Sequence, residues 1–264
     1  MTDEPETDVQ QESPDTEKKE MGFLDHLEEL RGVLFKSMIA YLIGVIVIVF
    51  FIHQISNILN FPLNQAYRIA NLPEENLITT RVFEIFNVLL VVCFLGGFVL
   101  SLPFTLYFGS TFITPGLTDK EKKILAPGCL MAFLLFVVGA CFAFFLILPQ
   151  AIAITAKLNQ LFGIEQYLTV GSYYNTVVWA TFATGLTFEF PLVVILLTYI
   201  DVLNVQQLRN SRRLVFVLTL MVSALITPGG DPVTLLFLAF PLYGLYELSI
   251  MISERLVRRL DRKS

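Results

Sequence analysis

The chain is 264 residues long with 55% hydrophobic content and a mean hydropathy of +0.68, well above a soluble domain's usual apolar share. These values exclude a water-soluble enzyme or nucleic-acid-binding domain and indicate an integral membrane protein. The formal net charge of −5 is local: residues 1–20 hold eight acids against Lys18 and Lys19, so the remainder is about neutral.

Residues 1–20 lack the basic start and apolar centre of a secretory signal, and their composition predicts a disordered acidic tail. A membrane domain is expected over residues 21–254 and a basic cytoplasmic tail over 255–264. Met21 to Leu34 places Phe23, Leu24, Leu27, Leu30 and Leu34 at helical spacing, with Asp25, His26, Glu28 and Glu29 on the other face. That pattern predicts an amphipathic helix lying on the membrane surface. It runs into span one, Val33 to Phe51, followed by a polar connection that holds Pro62, Asn64, Arg68, Pro73, Arg81 and Glu84. Span two is expected over Val88 to Phe108, where Gly96, Gly97 and Pro103 permit close packing or a bend. A loop around Pro115 and Gly116 leads to the charged run Asp119 to Lys123, and span three, Ile124 to Leu148, is expected to end at Pro149.

Span four, Val177 to Ile200, carries Glu189 near its middle, followed by Phe190 and Pro191. A charge at mid-membrane costs on the order of 3 kcal/mol even on the lenient insertion scale, so the acid is expected to face protein or a water-filled cavity. Pro191 frees a carbonyl near Thr187, which a neighbour must satisfy. Span five, Leu214 to Ile226, reaches only about 20 Å. The turn from Thr227 to Pro232 then leads to span six, Val233 to Ile252, whose apolar part is interrupted by Pro241 and Glu247. The expected architecture is all-α, with six transmembrane helices and a short last hairpin that thins the bilayer. Fifteen of the eighteen Lys and Arg residues fall in the tails, the second connection and the fourth; Arg68, Arg81 and Lys157 are on the other face. That bias places both termini in the cytoplasm.

The residues that carry chemical weight are acids. Asp25, Glu28 and Glu29 form like-charge pairs at helical spacing, which a cationic partner would relieve; acids near a helix start also favour its dipole. Glu121 fits a capping box with Thr118 and equally suits an anionic patch shared with Glu29. Glu189 is either a functional intramembrane acid or a buried one bonded to a neighbouring helix to hold the bundle together. Asp231 lies in a turn where Asp is ordinary, and Glu247 is either paired or interfacial. Cys93, Cys129 and Cys141 have no CxxC spacing and no neighbouring His, so they read as structural thiols, with no metal site expected. No nucleotide, hydrolase or zinc-protease motif appears, so neither an enzyme nor a cofactor is expected.

His26, Leu27, Glu29, Leu30 and Arg31 before span one, Phe112, Pro115, Gly116, Leu117 and Glu121 after span two, Phe188, Glu189 and Pro191 in span four, and Thr227, Pro228 and Asp231 before span six together resemble the TatC family. This is the multispanning subunit of the twin-arginine protein translocase. The chain departs from the family pattern at Val33, where a second basic residue is usual, and in the Gly229–Gly230 lengthening of the last outer turn. The resemblance implies a receptor in the inner membrane that binds paired-arginine signal peptides of folded cargo proteins. It also implies assembly into a multimeric complex with TatA-type and TatB-type single-span proteins and transport driven by the proton gradient. By the same resemblance, Glu29 and Glu121 contact the paired arginines, Glu189 meets a partner helix, and Asp231 is linked to assembly. His26, Leu30, Arg31, Phe112, Pro115, Phe188 and Pro191 support those sites. The alternative is an ion-coupled secondary transporter, which a discontinuous helix with a midplane acid would suit. The absence of a convincing internal repeat argues against it.

Overall fold

The computed structural model of the chain describes residues 23–73, 76–114, 119–164, 167–200, 202–227 and 231–261. All regular structure among the described residues is helical, apart from one parallel bridge between Ile78 and Thr169. In order the helices are α1 (Phe23–Phe50), α2 (Ile52–Leu59), α3 (Phe61–Ala70), α4 (Glu84–Ile113), α5 (Asp119–Phe142), α6 (Leu148–Leu161), α7 (Val170–Thr187), α8 (Phe190–Tyr199), α9 (Val205–Asn210), α10 (Arg212–Ile226) and α11 (Pro232–Asp261). A five-residue π segment, Ala143–Ile147, joins α5 to α6. Among the described residues, five helical runs are long and apolar enough to cross a membrane: Leu27–Phe50, Glu84–Ile113, Pro127–Leu161, Val170–Tyr199 and Pro232–Arg255. Only 11% to 33% of the most apolar window of each is buried inside the molecule. Side chains such as Leu42, Phe94, Leu130 and Leu225 point outward, as lipid-facing residues of a multi-pass membrane protein do.

The amphipathic stretch runs into span one as expected, and the two form a single continuous helix, α1. No proline interrupts this stretch, and a lone Gly32 costs only about 1 kcal/mol. Several expectations need correction. Span three does not stop at Pro149; the helix continues to Leu161. The π segment just before it shifts the hydrogen-bond register, and Pro149 then occupies the first turn of α6, where its missing N–H costs nothing. The first connection is largely helical, as α2 and α3.

Span four begins earlier than expected, at Val170, because Thr169 caps α7 by accepting a hydrogen bond from the Ser172 amide at 3.2 Å. The expected break near Pro191 is present: α7 ends at Thr187 and α8 starts at Phe190. Expected span five is present as the 15-residue α10, too short to count among the five crossing runs. Its partner is not short, however. α11 runs 30 residues straight through Pro241.

α1 and α4 pack antiparallel through a glycine notch. A Cβ added to Gly44 would come within 2.6 Å of the Gly97 carbonyl oxygen, so the two backbones touch directly. The main core gathers Ile48, Val92, Phe144, Leu148, Tyr173, Val177 and Leu242 from α1, α4, α6, α7, α11 and the π segment. A second core holds α8, α9, α10 and α11 together through Val194, Leu208, Val215, Tyr246 and Ile250. The end of the bundle where α1 begins is called the near end below, and the other the far end.

Candidate functional site

Glu29 is half-buried on the first turns of α1, with Glu28 and Arg31 exposed beside it. Its Oε2 is buried and has no hydrogen-bond partner among the described residues. A buried carboxylate oxygen without a donor is costly unless a ligand supplies one. From the Gly44–Gly97 crossing to Glu29 is fifteen residues, and from the same crossing to Phe112 on α4 is also fifteen, each about 22 Å of helix. Because α1 and α4 are antiparallel, Glu29 and the half-buried Phe112 lie at the same near end. Glu121 follows on the first turn of α5. The side chains of Glu121 and His26, and all of Pro115 and Thr118, lie outside the described residues, so neither the capping box nor a carboxylate pair has a described geometry.

Glu189 occupies the break between α7 and α8. Its amide donates to the Leu186 carbonyl at 3.1 Å and its carbonyl accepts from Leu192 and Val193. The half-buried carboxyl sits beside the Phe136 backbone of α5, and its Oε1 has no hydrogen-bond partner among the described residues. Phe188, almost fully buried, wedges the break against α5: a Cβ on Gly139 would meet its ring at 2.5 Å. Gly185 makes a matching notch for the Phe136 ring at 2.8 Å. Pro191, also buried, is the second residue of α8. The hydroxyls of Thr181 and Thr184, on the turns before the break, are likewise buried without partners. Reading Glu189 alone missed this polar stretch of α7, which the i, i+3 spacing of the two threonines could have flagged.

Asp231 caps α11. Its Oδ1 accepts from the Thr234 amide at 2.7 Å and its carbonyl from Leu235 at 3.0 Å, while Oδ2 is buried without a partner among the described residues. It lies at the far end, away from Glu29. Glu247 is paired, accepting from Arg212 at 2.8 Å and from the Tyr243 hydroxyl at 3.0 Å. Arg209 binds Glu254 through two nitrogens, so α9 and α10 are fastened to α11 at the near end. Three acids thus sit at three levels: Glu29 near, Glu189 between the ends on the crossing run Val170–Tyr199, Asp231 far. Among the described residues no group of three or more His, Cys, Asp or Glu side chains is placed to hold a metal ion.

A cleft of about 520 Å3 lies at the far end, lined by Ile52, Asn60, Leu77, Val88 and Tyr174, and it adjoins none of these acids. Beside it, the tyrosines at the start of α7 reach across to α2 and α3. Tyr173 donates to the Leu59 carbonyl at 2.6 Å and accepts from the Leu63 amide at 3.2 Å; Tyr174 donates to Asn60 at 2.9 Å. Neither tyrosine is marked in the sequence, since their partners are backbone groups and the Ser56 and Asn60 side chains at the α2–α3 corner.

Residues 25–241 match the family model described as Sec-independent protein translocase protein (TatC). A TatC from Aquifex aeolicus is 34% identical over 241 residues, covering 90% of this chain and 97% of that protein. One from Synechocystis is 30% identical, covering 86% and 85%. The crystal structure of a twin-arginine translocase receptor, TatC, superposes with a TM-score of 0.74 at 34% identity, covering 88% of this chain and 99% of that one. Glu29, Phe112, Glu121, Glu189 and Asp231 all fall inside the matched region, and the chain belongs to the TatC family of Sec-independent protein translocases.

Proposed function

We propose that this chain is the signal-peptide receptor of a twin-arginine translocase in the inner membrane, with both termini in the cytoplasm. In this reading the near end faces the cytoplasm, and Glu29 and Glu121 each take one guanidinium of a paired-arginine signal. Two adjacent arginines share one carboxylate poorly, because each guanidinium makes its best contact as a two-bond fork onto its own acid. The observation that carries this reading is the buried, unpartnered Oε2 of Glu29 at the end where α4 delivers Phe112 and Glu121. Glu189, also with a buried oxygen lacking a donor, receives a polar group from the helix of a TatA-type or TatB-type single-span protein. Asp231 contributes to assembly at the far end. The proton gradient drives passage of folded cargo, and the working unit is a multimer.

The family membership favours this over an ion-coupled transporter of small solutes. The test is expression of the chain, with its single-span partners, in a bacterium lacking its own TatC. A folded reporter bearing a twin-arginine signal is expected to reach the periplasm, while a twin-lysine version is not. Equal export of the two reporters, or export of neither at normal membrane levels, would remove the receptor reading.

A further inference from the structure

Glu84 is buried and charged, and no role considered above uses it. It is the first residue of α4, 8% exposed. Its Oε2 accepts from the amides of Thr80 at 2.8 Å and Arg81 at 3.3 Å, and its Oε1 from the amide of Gly171 at 2.8 Å. Gly171 is the second residue of α7, 87 positions away in the chain. The Thr80 hydroxyl also reaches Oε2, at 3.5 Å. Each oxygen is therefore engaged by a different segment, Oε2 by the residues just before α4 and Oε1 by α7.

The approach is close enough to dictate the residue opposite. A Cβ on Gly171 would stand 2.7 Å from Oε1. Immediately alongside, the Ile78 amide donates to the Leu168 carbonyl at 3.0 Å, and the Val170 amide donates to the Ile78 carbonyl at 2.9 Å. These two bonds make the parallel bridge with Thr169. The tyrosines described above tie α7 to the α2–α3 corner; Glu84 ties it to α4.

We infer that Glu84 is a positioning residue that pins α4 and α7 in register at their far ends, so that the helix leading to Glu121 and the helix carrying Glu189 move as one frame. The inference rests on the roles proposed for those two acids. α4 is helical from Glu84 to Ile113, losing only the amide donor that Pro103 lacks, and α7 is helical from Val170 to Thr187, two residues short of Glu189, so an axial shift or rotation of either first turn is carried along its helix. Glu189 is eighteen residues along from Gly171, and Phe112 twenty-eight from Glu84. The pin needs acceptors on both oxygens. Glutamine keeps one and sets an NH2 group against an amide N–H, so Glu84→Gln should fail like Glu84→Ala.

The first test reads geometry without any ligand. Spin labels at Thr111, exposed near the end of α4, and Val193, exposed on α8, give a distance distribution in purified protein whose native cysteines are replaced by alanine. Glu84→Ala and Glu84→Gln are expected to broaden or shift it at unchanged helix content, and a distribution identical to wild type overturns the inference. The second test reads a co-expressed single-span partner. Co-purification should fall about tenfold in both variants, the effect of losing a charge-assisted bond. An oxidised Ile78→Cys, Thr169→Cys disulfide should restore it and reduction should abolish the rescue. Normal co-purification in Glu84→Gln, or a formed disulfide without rescue, also overturns the inference. If wild type binds neither partner nor signal peptide, the proposed function fails while the distance result still decides the pin.

Discussion

Glu189 holds a carboxyl oxygen with no donor among the described residues, inside a helix break, and that cost persists unless a partner meets it. A hydrogen bond needs polarity there and not a full charge. Glu189→Gln should therefore keep co-purification of a single-span partner near wild type, while Glu189→Leu lowers it roughly tenfold. Equal yields for the two variants would contradict the contact. Asp231 makes the opposite case, because one of its oxygens already caps α11. Asp231→Ala should cost about 1 kcal/mol of stability, seen as a lowered thermal midpoint, and Asp231→Asn should recover most of it. A midpoint unmoved by alanine would show that the cap contributes nothing. Glu189 stands out in the sequence because an ionisable group in an apolar run is unusual, whereas Asp231 reads as an ordinary turn residue and only the family resemblance singles it out. Neither signal marks Glu84, whose closest partners are the amides of Thr80, Arg81 and Gly171; a backbone amide has no signature in a sequence.

At the scale of elements, the 15-residue α10 covers only about 22 Å of a hydrocarbon core of roughly 30 Å. Its neighbour α11 is 30 residues long, so a membrane thinned around this corner would be thinned on the α10 side. Inserting four leucines into α10 lengthens it by about one turn. Export should fall while membrane levels hold, and full activity in that variant would argue against a role for the mismatch. Hydropathy made α4 and the body of α7 legible, and Pro191 marked the α7–α8 break correctly. Pro149 misled, because a proline read alone predicts an end and the π segment that accommodates it depends on register across the Ala143–Ile147 turn. The extra helices α2 and α3 were hidden by polar residues such as Ser56, Asn60 and Asn64, which here line the far-end cleft, and of which Ser56 and Asn60 meet Tyr174.

For the whole molecule, the glycine crossing of α1 on α4 sets the near end, bringing Glu29 to the level where α4 hands over to Glu121. The sequence reading already puts both acids on one membrane face; the crossing point adds that Glu29 lies level with the end of α4. The most direct measurement is the affinity of a purified twin-arginine signal peptide for wild type, Glu29→Ala and Glu121→Ala at two salt concentrations. Loss of one charge-assisted contact should weaken binding by roughly tenfold to a hundredfold in each variant and flatten the salt dependence. A twin-lysine peptide should bind wild type less tightly than the twin-arginine one, because lysine keeps the charge and lacks the fork. Unchanged affinity and salt dependence in both variants would contradict the receptor account and leave Glu29 and Glu121 as ordinary helix-start acids.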